Sequence, residues 1–426
     1  MPTPFSPTTR FAAASAPGGL PLLGHAAALL HRPHEFVAGL PAHGDLVRLR
    51  LGPLRAYVVC HPELVRRLLA DDRTFRPGGP LPDRAREAFG DGLAAFPATA
   101  HRHRPPPPAL HHGRLPDHAA PMAEGIADAT ARWRDGDVID VPAAMCRLST
   151  AVTARCLTAA HERAGSPPPG ADRLTSPGNR LRRARQDLRE FTRRLTADHR
   201  AAGTDRHDLP STPLAAPDED GRPPSGAEVH ERLAAFLPAG PESTAATLSW
   251  AWTLLAANPA VRMRLHTELD TVLDGRPARL EDLPALPLTA RIVSETLRLY
   301  PPPWILSRTA TTDTELGGHP VPAGATLLYS PYLLHRRADL FPRPDRFDPD
   351  RWLTTARPAP GARTPFGLGA HRSAGDAFGT ATAVLAIATI AAHWTIAPTP
   401  GRPVRPTRGP SLAPRPFTAT LTRRVR

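Results

Sequence analysis

The sequence predicts a mainly α chain with small β-sheets, and three observations predict it. Long amphipathic or wholly apolar runs of helical period fill most of the chain. Strict period-two alternation is confined to a few short stretches. Apolar residues make up 41% of the 426, enough for a real core, which excludes global disorder.

Taken in order, residues 1–25 are a lead punctuated by proline and glycine, ending in "SAPGGLPLLGH". "HEFVAGLPAHG" reads as a short helix. "DLVRLRLGPLRAYVVC" alternates around Gly52-Pro53 and predicts a hairpin. "HPELVRRLLAD" opens a helix with Pro62 in its first turn. "GNRLRRARQDLREFTRRLTADHRAAG" is a long amphipathic helix with an exposed basic face over 178–202. "GAEVHERLAAFLPAGPESTAATLSWAWTLLAANP" is longer and mostly apolar, so it crosses the core, and Gly240-Pro241 predicts a local break or kink. "PAVRMRLHTELDTVL" and "LPLTARIVSETLRLYP" are further helices with prolines at their ends. "TELGGHPVPAGATLLYSPYLLHR" returns to strand-like alternation. "TATAVLAIATIAAHW" is a final buried helix, shorter than the roughly 20 residues a bilayer requires, and an extended tail follows. No internal repeat is present, so the expectation is one domain over 1–426, cytoplasmic, with no membrane partner.

The formal net charge of +13 invites a nucleic-acid partner, but the chain contains no lysine and its arginines are scattered among Asp and Glu. No nucleic-acid partner is expected. Cys60, Cys146 and Cys156 sit in apolar stretches without zinc spacing and read as buried thiols. Asp71-Asp72 and Asp218-Glu219-Asp220 complete no DDxxD pattern and read as turns; no metal site is expected.

Four stretches carry chemistry. In "SETLRLYPP", Glu295 and Arg298 are three apart and share a helix face. A buried carboxylate there needs a charged partner, and Arg346 in "FPRPDRFDPDRW" is the candidate to complete a Glu–Arg–Arg cluster. In "AGPESTAAT" a small-residue step adjoins Glu242, Ser243 and Thr244, an acid beside hydroxyls on a helix that a ligand or water could open. "TPFGLGAHRSAGDAFG" is a loop running into a helix, with Phe366, Gly369, Ser373 and Gly375. The order and spacing of these motifs resemble the cytochrome P450 family of haem-thiolate monooxygenases. The likeness extends over almost the whole chain and is greatest to soluble actinobacterial members that act on terpenoids.

That resemblance implies the P450 fold, an α-rich triangular prism. It implies that Glu295, Arg298 and Arg346 lock the core beneath the cofactor. Glu242 and Ser243 take the place of the acid–alcohol relay. Arg308 in "LSRTA" faces a haem propionate, and Phe366 and Gly369 shape the proximal loop. His101 and Arg104 lie on the segment at the haem edge. Ser373 stands where the iron-bound cysteine belongs, and His371 stands where an arginine usually meets a propionate; His371 is the minor candidate for replacing the iron ligand.

Three departures shape the functional expectation. A neutral serine hydroxyl is a poorer iron ligand than a thiolate. "HRHRPPPPAL" puts Pro105 one turn after His101, and four prolines cannot continue a helix. "AGSPPPGADRLTSP" leaves a flexible loop at 160–178 where a lid helix is usual, so the lid is expected to be shortened. The expectation that follows is a protein with no cofactor: a haem-independent, non-oxidative enzyme that cyclises or isomerises a hydrophobic terpenoid-like molecule in the vacated pocket, with Glu242 as acid. The alternatives are a haem-free auxiliary protein that activates a partner pathway enzyme, and a haem-binding oxidoreductase with a non-cysteine axial ligand.

Overall fold

The computed structural model describes residues 11–52, 54–78, 112–158, 226–353, 358–369, 372–373, 375–401, 403–407, 409 and 411–425. The stretches holding His101, Arg104, Pro105, the 160–178 loop, the basic helix, Asp218–Asp220 and His371 lie outside them.

Ten helices stand among the described residues: α1 (Ala26–His31), α2 (Pro33–Gly39), α3 (Pro62–Ala70), α4 (Ala119–Thr130), α5 (Val141–Thr158), α6 (Gly226–Ala257), α7 (Pro259–Leu273), α8 (Pro287–Leu299), α9 (Pro331–Leu334) and α10 (Asp376–His393). The predicted hairpin forms, with β2 (Leu46–Leu51) and β3 (Leu54–Val59) antiparallel and Leu51 opposite Leu54. Val47 and Leu49 with Ala56 and Val58 alternate onto one buried face, which fixes the register, and Leu46 and Val59 at the open end are buried on the other. The segment "TELGGHPVPAGATLLY" gives β7 (Thr314–Leu316), β8 (His319–Val321) and β9 (Thr326–Tyr329). Gly317 and Gly318, at φ of 65° and 86°, make the turn between the first two.

With β1 (Ala13–Ser15), β4 (Phe75–Pro77) and β6 (Leu306–Ala310), the main sheet has strand order β1-β2-β3-β9-β6-β4. A second sheet joins β10 (Trp394–Pro398), β11 (Thr418–Arg423) and β5 (Val138–Asp140) in the order β10-β11-β5. The tail read from sequence as extended is therefore a paired strand. Asp71 closes α3 by accepting the Thr74 N–H at 3.0 Å, a turn as its sequence suggests.

Two buried clusters fill the molecule. One is helical and centres on α5, α6, α8 and α10; the other lines the six-stranded sheet and α3. Within the helical cluster α10 is buried along almost its whole length. By length and composition it is the one described helix that could cross a membrane, and 72% of it lies inside the molecule.

Helix α6 runs from Gly226 to Ala257 without interruption at Gly240-Pro241. The expected break does not interrupt it: α5 and α10 pack along this helix and hold its course, although Pro241 has no N–H to offer the preceding turn.

Candidate functional site

The candidate residues lie on α6, α8, β6 and the loop before α10. Helix α8 brings Glu295 and Arg298 together on one face, both fully buried. Arg298 grips the carboxylate with two prongs, Nε to Oε2 at 2.9 Å and Nη2 to Oε1 at 2.7 Å. The rest of the guanidinium is spent on carbonyls: Nη1 donates to His335 at 2.8 Å and Pro344 at 2.6 Å, and Nη2 to Arg346 at 3.1 Å. Glu295 in turn accepts from the Asp348 N–H at 3.1 Å, Trp352 Nε1 at 3.1 Å and Arg351 Nε at 3.3 Å.

The second guanidinium beside Glu295 is thus Arg351, not Arg346. Arg346 reaches the cluster through its backbone carbonyl, while its exposed side chain lies in a shallow groove with Pro259, Arg264 and Asp350. The short 3-10 turn Pro349–Leu353 decides the choice, because it turns Arg351 and Trp352 inward.

The loop from Thr364 to Gly375 sits between the two hydrophobic clusters, Phe366 packing on the helical one and Leu368 on the other. It doubles back on itself: Gly367 N–H donates to Thr364 O at 3.1 Å, Ser373 N–H to Phe366 O at 2.8 Å and Arg372 N–H to Gly369 O at 3.1 Å. Gly369 adopts φ of +67°, and a Cβ there would lie 2.5 Å from the Leu69 carbonyl oxygen. Only glycine fits both demands. Ser373 is presented exposed, two residues ahead of Gly375, the N-cap of α10, whose amide ends favour negative charge.

Arg308 stands on β6, between Pro77 of β4 and Leu327 of β9, and is 4% exposed. Its Nη1 donates to Ser307 O at 3.2 Å and its guanidinium lies 5.7 Å from the Tyr329 ring centre. Its Nε is buried without a hydrogen-bond partner among the described residues. A buried guanidinium with an unspent N–H calls for an anion.

On α6, Glu242 is reached by solvent yet ringed by enough protein that desolvation raises its carboxyl above the usual range; the Ser411 hydroxyl counteracts this in part. The Thr247 hydroxyl donates to the Ser243 carbonyl at 2.9 Å, loading the turn after Pro241. Thr244 does not join Glu242. It lies two residues on, about 200° round the helix, against α10, where a methyl added to Gly379 would meet its Oγ1 at 3.5 Å. Among the described residues no group of three His, Cys, Asp or Glu side chains could hold a metal ion.

Comparison with known proteins then identifies the fold. A family model described as Cytochrome P450 matches residues 167–421. The chain belongs to the cytochrome P450 family. This P450 is 40% identical over 91% of its length to a cyclooctat-9-en-7-ol 5-monooxygenase of Streptomyces melanosporofaciens, covering 90% of that protein. It is 40% identical over 94% of its length to cyclooctatin synthase of the same organism, covering 94% of it. It is 39% identical over 93% of its length to pentalenene oxygenase of Streptomyces avermitilis, again covering 94%. The mainly α architecture with small sheets is that of the family, and the chain is a monooxygenase by descent.

These likenesses overturn two expectations. The haem-free readings, a non-oxidative cyclase or isomerase and an auxiliary protein, give way: relatives matched over more than nine-tenths of this P450 are named as a monooxygenase and an oxygenase. The expectation of no cofactor gives way with them, because haem is the cofactor of the family. Its physical basis is three local departures, the serine at the ligand position, the proline run after His101 and the short lid segment, and these do not outweigh a likeness spread over the whole fold.

Proposed function

We propose that this P450 binds haem and oxidises a hydrophobic, terpenoid-like substrate, with Ser373 as the residue that would offer a ligand to it. The observation that carries the reading is Arg308, a buried guanidinium on β6 with an Nε–H unspent among the described residues. It suits a porphyrin carboxylate, for which a planar, permanently charged fork is the natural partner. The loop supports the same reading. Gly369 keeps its backbone against Leu69, and Ser373 ends a doubled-back segment at the N-terminus of α10. Haem, when bound, supplies an iron centre able to oxidise unactivated carbon.

The chain's own residues do the rest. Arg308 would hold a propionate, and Phe366 and Leu368 fix the loop that carries Ser373 against the two hydrophobic clusters. Ser373 offers an oxygen donor, a harder and less electron-rich ligand than sulfur. Glu242, whose carboxyl burial raises above the usual range, would keep its proton to higher pH than an exposed carboxylate, beside the Ser243 hydroxyl that could pass it on. The terpenoid class rests on the names of the relatives.

Haemin titration tests the proposal. The expected result is stoichiometric uptake with a Soret band that lacks thiolate character, and in Ser373→Cys a reduced carbon monoxide spectrum of thiolate type. Arg308→Met should weaken uptake several-fold in both backgrounds. Failure of wild type and of Ser373→Cys to take up haem would overturn it.

A further inference from the structure

His335 lies at the end of α9, fully buried, between the Glu295–Arg298 cluster and the loop that carries Ser373. Its Nδ1 is 3.0 Å from the Arg298 carbonyl oxygen, and its Nε2 is 3.0 Å from the Thr364 backbone nitrogen. A carbonyl can only accept and an amide N–H can only donate, so the chemistry fixes the ring: Nδ1 carries the proton and Nε2 is bare. The backbone of His335 closes the circuit by accepting from Arg298 Nη1 at 2.8 Å.

We propose that the neutral His335 imidazole is the latch fastening the ligand loop to the Glu295–Arg298 cluster, and that acid opens it. A second proton on Nε2 would face the Thr364 N–H donor with another donor and lose the bond. Every charged group facing the ring works against that proton. Burial counts most, and Arg363 from the stretch entering the loop, Arg298 from α8 and Arg336 from the ring's own segment add to it, while the bond to the Arg298 carbonyl works the other way. Among the described residues the carboxylate of the cluster, Glu295, is already taken by Arg298 and Arg351. The remaining wall is the Phe341 ring, 6.1 Å away and edge-on. His335 is therefore a positioning residue. It acts on Ser373 through Thr364, which begins the doubled-back segment by accepting from Gly367 N–H.

The consequence is quantitative. While the latch is closed the ring stays neutral; once open, it titrates at its ordinary value of 6.5. Each proton taken by the open form pulls the equilibrium toward opening, which makes opening about tenfold easier at pH 5.5 than at pH 7.5.

The inference takes from the proposed function only the role of the loop. Its test is amide hydrogen exchange at Thr364 on the full chain as purified, which does not depend on haem uptake or turnover. After correction for intrinsic rate, Thr364 protection in wild type should fall about tenfold between pH 7.5 and 5.5. In His335→Gln, a neutral amide that can donate to Arg298 and accept from Thr364, protection should persist at both pH values. His335→Ala should be unprotected at both; should it fail to fold, the glutamine variant alone decides. Equal wild-type protection at the two pH values, or the same fall in His335→Gln, would overturn the latch.

Discussion

Replacing Arg351 and Arg346 one at a time separates two arginines that sequence spacing treats alike. Arg351 is 11% exposed and donates three times: Nε to Glu295 at 3.3 Å, Nη1 to Pro342 O at 2.7 Å and Nη2 to Arg343 O at 3.3 Å. Arg351→Met removes a charged donor from a carboxylate that is wholly buried. Glu295 keeps Arg298, the Asp348 N–H and Trp352, so the pair is weakened and not orphaned. One bond to a buried carboxylate and two to carbonyls on the exposed side, all from a charged donor and net of solvation, give a cost of about 2–4 kcal/mol. Arg346→Met leaves in place the backbone carbonyl that accepts from Arg298 and changes only an exposed side chain, for a cost within about 0.5 kcal/mol. Chemical denaturation at unchanged slope measures both. A cost for Arg346→Met equal to or larger than that for Arg351→Met would refute the assignment of the cluster.

Gly369→Ala places a methyl 2.5 Å from the Leu69 carbonyl in a left-handed backbone, and should cost about 1–3 kcal/mol and lower haem retention, measured by denaturation and by the Soret yield. Trp250→Phe removes the Nε1–H that donates to Leu412 O at 2.7 Å and leaves that carbonyl buried; a loss of about 1–3 kcal/mol is expected in the same assay. The raised Glu242 carboxyl binds its proton more tightly folded than unfolded. Its contribution to stability is therefore full below the ordinary value of 4.5 and is lost as pH rises through the raised one. Glu242→Gln should flatten stability against pH in that window, read from denaturation midpoints at stepped pH.

The hairpin Leu46–Val59, the strand-like segment around Thr314–Tyr329 and the buried α10 were legible because each is specified by neighbours in sequence. The Glu295–Arg298 pair was legible for the same reason: a helix puts positions three apart side by side. The choice of the third arginine was not. "PDRFDPDRW" offers Asp-Arg-aromatic twice, and only the direction of the chain in space selects the second copy. His335 was missed because its two partners lie 37 and 29 residues away in opposite directions, with no local pattern to mark them. Reading the function as haem-free was an error of weight. Three local departures, at Ser373, after His101 and in the lid, outranked a likeness that runs along almost the whole chain.

The pairing of β5 with β11 carries a consequence for biogenesis. Asp140 faces Thr418, roughly 280 residues downstream, so at typical elongation rates the ribosome needs on the order of tens of seconds to supply the partner. Until then the edge of Val138–Asp140 has no mate, and the helical layer above it is assembled on an unfinished floor. A chain stalled or clipped before residue 418 would keep that edge bare, and nascent chains of that length should be the ones that chaperones hold longest.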